Sequence, residues 1–329
     1  MARSRLTEAL NQGLIARPDG MICVLGPRQG YDLSALDALE ITVVQGFRSD
    51  YLHWTTAGFA VEPEIPAGPF AGALIVLPRA RDLAREWIAG IAAALPAGAP
   101  VWVDGQKTDG VDSLYRACRK AFACSEAMSM AHGKLFAFKA AAAPPDWQTP
   151  DHRTPEGFAT AAGAFSADAV DPGSKALAAV LPARMPGRVA DLGAGWGYLA
   201  SEVLSRDGPE SLHLFEADHA ALAAARRNVP DARAVFHWQD VSEVGVSRDF
   251  DAVVCNPPFH VGRDTRPELG QAFIDCAAGL LKPSGRLWLV ANRHLPYEGV
   301  LSDRFRTVDR LEGSDAYKLF RAERPLTRR

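Results

Sequence analysis

Short apolar runs alternate with stretches of helical periodicity along the whole chain. In the first half, the runs at 21–25, 41–44, 73–77 and 100–103 predict strands, and the patterns at 82–95 and 111–122 predict helices. In the second half, strands are predicted at 188–192, 211–216, 234–237, 251–255 and 286–291, with helices at 198–205, 219–228 and 266–281. The segments 305–311 and 317–322 would close a seven-stranded sheet as a hairpin. Strands alternating with helices predict an α/β protein with parallel crossovers, and a doubly wound sheet carries its ligands at the carboxyl ends of its strands.

Between the halves, 141–155 holds Pro144, Pro145, Pro150 and Pro155, which predicts an interdomain linker between domains at 1–140 and 156–329. The halves match in more than pattern. Leu25-Gly26-Pro27-Arg28-Gln29-Gly30-Tyr31 aligns with Leu192-Gly193-Ala194-Gly195-Trp196-Gly197-Tyr198. Further on, Trp87-Ile88 aligns with Phe273-Ile274, Val101-Trp102-Val103 with Leu287-Trp288-Leu289, and Lys134-Leu135-Phe136 with Lys318-Leu319-Phe320. Val24 and Arg28 stand where the second copy has Asp191 and Gly195, and Leu77-Pro78-Arg79-Ala80 stands for Asn256-Pro257-Pro258-Phe259. The first domain is therefore expected to be degenerate, keeping the fold without the chemistry.

With 329 residues, 48% hydrophobic and 23% charged, the chain has the composition of a soluble two-domain protein. No apolar run approaches a membrane span and the first twelve residues are polar, so a cytoplasmic protein without a membrane partner is expected. Five cysteines without a Cys-x-x-Cys pair, and eight histidines without ligand spacing, argue against a disulfide framework and against a metal. A net charge of −3 does not suit a general nucleic-acid binder, although 282–329 carries 11 basic residues against 6 acidic ones.

Asp251-Ala252-Val253-Val254-Cys255-Asn256-Pro257-Pro258-Phe259-His260 is a short strand that runs into two residues unable to continue a sheet. Each proline fixes its own φ, removes an N–H and extends the residue before it. The groups left at the tip suit a planar –NH2. The Asn256 amide oxygen and the Pro257 carbonyl can accept its two N–H bonds and turn the delocalised lone pair out of the ring plane, with Phe259 stacked on the ring. The plainer alternative is a strand ending in a Pro-Pro turn with a satisfied Asn and a core Phe; Cys255 is read as packing.

Asp191-Leu192-Gly193-Ala194-Gly195-Trp196-Gly197 ends a strand and opens a helix, so Gly193, Gly195 and Gly197 let a ligand approach the backbone closely. A dinucleotide fingerprint would place its third glycine one residue later and an apolar residue at position 191. A carboxylate there suits a cation. Glu216 ends the next strand, where it can accept both hydroxyls of a ribose, and Asp240 follows the third, within reach of an adenine amine. A nucleoside with a positive charge and an amino-acid tail fits the three acids, and S-adenosylmethionine is such a molecule. Taken singly, each acid reads as a helix cap or a surface charge.

The glycine loop, Glu216, Asp240 and Asn256-Pro257-Pro258-Phe259-His260 together resemble the class I S-adenosylmethionine-dependent methyltransferases. More narrowly, nearly the whole chain is similar to the bacterial ribosomal RNA guanine-N2 methyltransferases of the small-subunit type, RsmC. That likeness includes Gly163-Ala164-Phe165-Ser166, Asp171-Pro172-Gly173-Ser174, Val290-Ala291-Asn292 and Leu295-Pro296-Tyr297. It implies two tandem Rossmann-like methyltransferase domains, an Asn-Pro-Pro-Phe corner holding a guanine amine beside the cofactor, and Phe165, Asp171, Gly173 and Ser174 closing over the methionine end of S-adenosylmethionine. Two departures are Glu216, where Asp is frequent, and Trp196 in the glycine loop. The implied activity is methylation of the exocyclic N2 of a guanine in ribosomal RNA, most simply 16S, with ribosomal RNA or the small subunit as partner. Phe259 and His260 then face the substrate. Arg263 and Arg266, in the loop leaving the corner, are expected on phosphates around a flipped-out base. The alternatives are another planar nitrogen, adenine N6 or a protein glutamine, and a non-catalytic RNA-binding or assembly protein that has kept the fold.

Overall fold

The computed structural model describes residues 4–148, 151–258, 260–261, 264–265, 267–313 and 315–326. The chain divides into two compact units, Met1–Pro150 and Asp151–Arg329.

The strands of the first unit are β1 (Ile22–Leu25), β2 (Ile41–Val44), β3 (Ala60–Glu62), β4 (Gly72–Val76), β5 (Pro100–Gln106), β6 (Met128–Met130) and β7 (Gly133–Lys139). Its helices are α1 (Arg5–Asn11), α2 (Arg48–Thr56), α3 (Arg81–Ala94) and α4 (Val111–Ala121). The second unit has β8 (Arg188–Leu192), β9 (Ser211–Glu216), β10 (Ala234–Trp238), β11 (Phe250–Cys255), β12 (His260–Val261), β13 (Asp264–Thr265), β14 (Leu281–Asn292), β15 (Phe305–Leu311) and β16 (Tyr317–Pro325). Its helices are α5 (Pro172–Val180), α6 (Tyr198–Leu204), α7 (His219–Asn228), α8 (Pro267–Leu280) and α9 (Tyr297–Arg304).

Each unit holds a seven-stranded sheet, ordered β3-β2-β1-β4-β5-β7-β6 in the first and β10-β9-β8-β11-β14-β16-β15 in the second. Numbered within each unit, without the small β12-β13 pair, the two orders are the same. The first five strands of each order are parallel, and the sixth, β7 or β16, runs antiparallel to both of its neighbours. The duplication read from four short alignments is thus a duplication of topology.

The central strands are largely apolar because both faces are covered. In β11, Ala252 and Val254 enter one core of the second unit, and Val253 and Cys255 enter the other. β1 divides in the same way, with Cys23 and Leu25 on one side and Ile22 and Val24 on the other. The proline-rich tract is not spacer throughout. Trp147, in a 3-10 turn over Pro145–Trp147, is 4% exposed and packs edge-on to Phe122, which carries the first unit past the expected boundary at 140.

Candidate active site

The carboxyl ends of four adjacent parallel strands, in the order β10, β9, β8, β11, bring Asp240, Glu216, Asp191 and Asn256 into one row. Strand order reverses between β8 and β11, the place where an open α/β sheet leaves a crevice. The three acids lie on one side of it and the Asn-Pro-Pro corner on the other. Val254 pairs with Asp191 across β8 and β11. By strand alternation Asp191 and Asn256 therefore point to the same face as Val189 and Val254, the face covered by α5 and α6.

The glycine loop has the geometry the spacing implies. Gly193, Gly195 and Gly197 have φ of +70°, +55° and +92°, a region that side chains with a Cβ disfavour. A Cβ on Gly193 would press on the Phe273 ring, and one on Gly197 would press on Val229 and Ala225. Among the described residues, a Cβ on Gly195 would meet nothing within 4 Å, so this glycine faces open space there. Its N–H donates to Glu216 Oε2 at 2.8 Å, while Glu216 Oε1 accepts the Asp218 N–H at 2.8 Å. Glu216 is thus fixed in place against the loop.

Asp191 is 0% exposed, and among the described residues neither carboxylate oxygen makes a full hydrogen bond, the Ala200 N–H acting on it only as a minor backbone donor. An unpaired buried carboxylate is costly, which marks it as a group awaiting a donor or a cation. Burial, reinforced by the charge of Glu216, pushes its carboxyl up to about 8. Burial likewise takes Glu216 up to about 7, against the opposing effect of its backbone N–H bonds. The residues present fit a cationic nucleoside with an amino-acid tail: an orphaned buried acid, a ribose-height acid beside it, and an open glycine between them.

These two carboxyls set a pH dependence. Both bind protons more tightly in the folded ligand-free protein than unfolded, so what they contribute to its stability falls as pH rises from about 4 towards about 8. A cationic ligand favours their ionised forms. Affinity for S-adenosylmethionine should therefore rise with pH between 6 and 8 and level off above, with protons released on binding. Titration calorimetry in buffers of different ionisation enthalpy checks both; affinity flat across that window would contradict it.

Asp240 is used locally. Its Oδ1 accepts from the N–H and hydroxyl of Ser242 at 2.9 and 2.6 Å, and its own N–H donates to Glu243 Oε1, a capping box on the 3-10 turn Val241–Glu243. At the corner, Pro257 is buried and Pro258 exposed. The Asn256 amide nitrogen donates to Asp171 Oδ2 at 2.9 Å and to Ser174 Oγ at 2.8 Å. Gly173 leaves room for this: a Cβ there would meet Asp171 Oδ2 at 2.9 Å and the Tyr317 ring at 3.1 Å. Asp171 and Ser174, expected at the cofactor's methionine end, are thus also bound to the amine-holding residue. Phe165 is 64% exposed. Phe259, Arg263 and Arg266 lie outside the described residues, as does the side chain of His260, whose backbone starts β12.

Two residues with no assigned part in the sequence prove structural here. Asn228, which reads as an ordinary helix end, accepts the Ala159 N–H at 2.8 Å and donates to the Ala159 and Trp196 carbonyls, both at 2.7 Å. Trp196, the unusual residue of the loop, donates from Nε1 to the Phe165 carbonyl at 3.1 Å and packs with Phe158 and Tyr198. Together they fasten the segment carrying Phe165 to the glycine loop.

The first unit shows how the equivalent site is closed. Leu25 pairs with Val44 as Leu192 pairs with Phe215, so Gln45 takes the position of Glu216. Its Nε2 and the Trp54 indole both donate to the Pro27 carbonyl, at 3.0 and 2.6 Å. Gly26 and Gly30 keep positive φ, and the Trp87 ring lies against Gly26 as Phe273 lies against Gly193. With Val24 for Asp191 and Arg28 for Gly195, the frame of the loop is kept and the carboxylates are gone.

Residues 156–321 match the family model of the methyltransferase small domain. The chain is 28% identical over 304 residues to a ribosomal RNA small subunit methyltransferase C of Erwinia tasmaniensis, covering 86% of this chain and 87% of the relative. It is 30% identical over 254 residues to the protein of that name from Klebsiella pneumoniae, covering 74% and 73%. Among solved structures, a T. thermophilus 16S rRNA N2 methyltransferase (RsmC) in complex with AdoMet and guanosine superposes with a TM-score of 0.80 at 24% identity, covering 98% of this chain and 92% of that one.

Proposed function

The chain belongs to the ribosomal RNA small subunit methyltransferase C family, and we propose that it methylates the exocyclic N2 of a guanine in 16S ribosomal RNA, acting in the cytoplasm on the RNA or the small subunit. The observation that carries this is the pairing, across one crevice, of the orphaned Asp191 and Glu216 with the Asn-Pro-Pro corner.

When bound, S-adenosylmethionine supplies an electrophilic methyl group on a sulfonium. The chain's part is placement. Asp191 holds the positive end of the cofactor, Glu216 the ribose hydroxyls, and Gly195 leaves the space between them open. Across the switch point, the Asn256 amide oxygen and the Pro257 carbonyl accept the two N–H bonds of the guanine amine and turn its lone pair out of conjugation. No side-chain nucleophile is needed. Cys255 is fully buried, and burial holds its thiol well above the ordinary range, which fits packing rather than chemistry. Orientation of this kind converts binding into rate.

The identity of the product nucleoside tests the proposal. Small-subunit RNA treated with the protein and methyl-labelled cofactor, then digested, should carry its label in N2-methylguanosine. Label in N6-methyladenosine, or no label in the RNA, would overturn the choice of acceptor.

A further inference from the structure

An asparagine amide has nearly the same shape in its two flips, yet only one of them can hold an amine. With Oδ1 towards the substrate it accepts an N–H; turned over, it presents two donors to a donor. From the network around Asn256 we infer that Asp171 and Ser174 are positioning residues which lock the amide in the productive flip. This rests on the amine-holding role proposed above and adds what enforces it.

The lock follows from what each partner can do. Asp171 Oδ2 already accepts the Ser174 N–H at 2.7 Å as the N-cap of α5, so it faces its other neighbour as an acceptor too. The group it faces at 2.9 Å must therefore be the Asn256 nitrogen, not the oxygen. The second N–H of that nitrogen is directed to Ser174 Oγ, 2.8 Å away in a residue 8% exposed. Both amide protons are thereby occupied on the α5 side, and Oδ1 is left to the other side. Pro172 at the first helical position has no N–H to compete for the Asp171 carboxylate, and Gly173 leaves it space. Each residue of Asp171-Pro172-Gly173-Ser174 thus has a role in setting one amide 85 positions away in sequence.

A double-mutant cycle in the full chain, with kcat, cofactor affinity and melting temperature measured, tests the lock. Alone, Asp171→Ala and Ser174→Ala should each lower kcat, the former by about tenfold or more, with cofactor affinity within about threefold. Added to Asn256→Ala, either change should alter kcat by less than about twofold, because the residue it acts through is gone. Asp171→Asn, which keeps an acceptor and a cap, should recover most of the turnover lost in Asp171→Ala. Losses that add in the Asn256→Ala background, or a cofactor affinity that falls while kcat at saturation holds, would overturn the lock and make these residues cofactor ligands. Loss of the cap alone lowers the melting temperature without producing the non-additivity. Near-normal turnover in Asn256→Ala would defeat the amine-holding role itself. A large loss there, with full turnover in Asp171→Ala and Ser174→Ala, would defeat only the lock.

Discussion

Asn256→Ala is expected to lower kcat by roughly two or more orders of magnitude, as the loss of an oriented polar group does in other active sites, while cofactor affinity barely changes. The separation follows from position. Asn256 sits across the switch point from Asp191 and Glu216, and its amide bonds run to Asp171 and Ser174 rather than to the glycine loop. Asn256→Asp should be nearly as damaging. It puts an acceptor where the amide nitrogen now faces Asp171, so two carboxylates would meet at hydrogen-bonding distance. Single-turnover kinetics at saturating cofactor, together with calorimetric binding, separate the two effects; a variant whose affinity falls in step with its rate would count against the division of the site.

The second large effect is on binding. Asp191→Ala should weaken S-adenosylmethionine by about a hundredfold or more, since it removes the buried partner of a charge. The ligand-free protein should not melt much lower. The substitution leaves a small void but removes a buried carboxylate that no full hydrogen bond satisfies among the described residues, a burial that costs about 1–3 kcal/mol. A residue kept for stability would show the reverse. The wild-type chain should bind one cofactor, because Val24, Arg28 and Gln45 take the places of Asp191, Gly195 and Glu216 in the first unit. Two sites per chain, or binding that survives Asp191→Ala, would refute the assignment.

Much of this was legible in the sequence. The strands β8 and β9 and the helix α7 fall on their predicted bounds because short strands patterned with apolar residues, a glycine turn and a capped amphipathic helix leave few other readings. The carboxyl-end row followed from counting residues at strand ends. α5 was missed: Asp171-Pro172-Gly173 reads as a loop unless Asp171 is taken as a cap and Pro172 as the first helical residue. The edge strand β3, three residues with exposed ends, has too little pattern to register. Trp147 was hidden because prolines mark irregular backbone, and irregular backbone can still carry a buried ring. At the site, the residue types were legible but not their bonds. Asp240 carries the local cap that any aspartate before a turn can make. The Asp171–Asn256 contact joins segments whose proximity only the folded sheet supplies.

The central claim is that the corner at Asn256 places a guanine N2 on the methyl group of the cofactor. It is tested most directly by nucleotide-resolved mass spectrometry of 16S ribosomal RNA from cells that carry the protein, lack it, or carry only Asn256→Ala. One N2-methylguanine should be present with the wild-type chain and absent in both other samples. A map unchanged by loss of the protein, or a site still fully methylated with Asn256→Ala, would contradict the account.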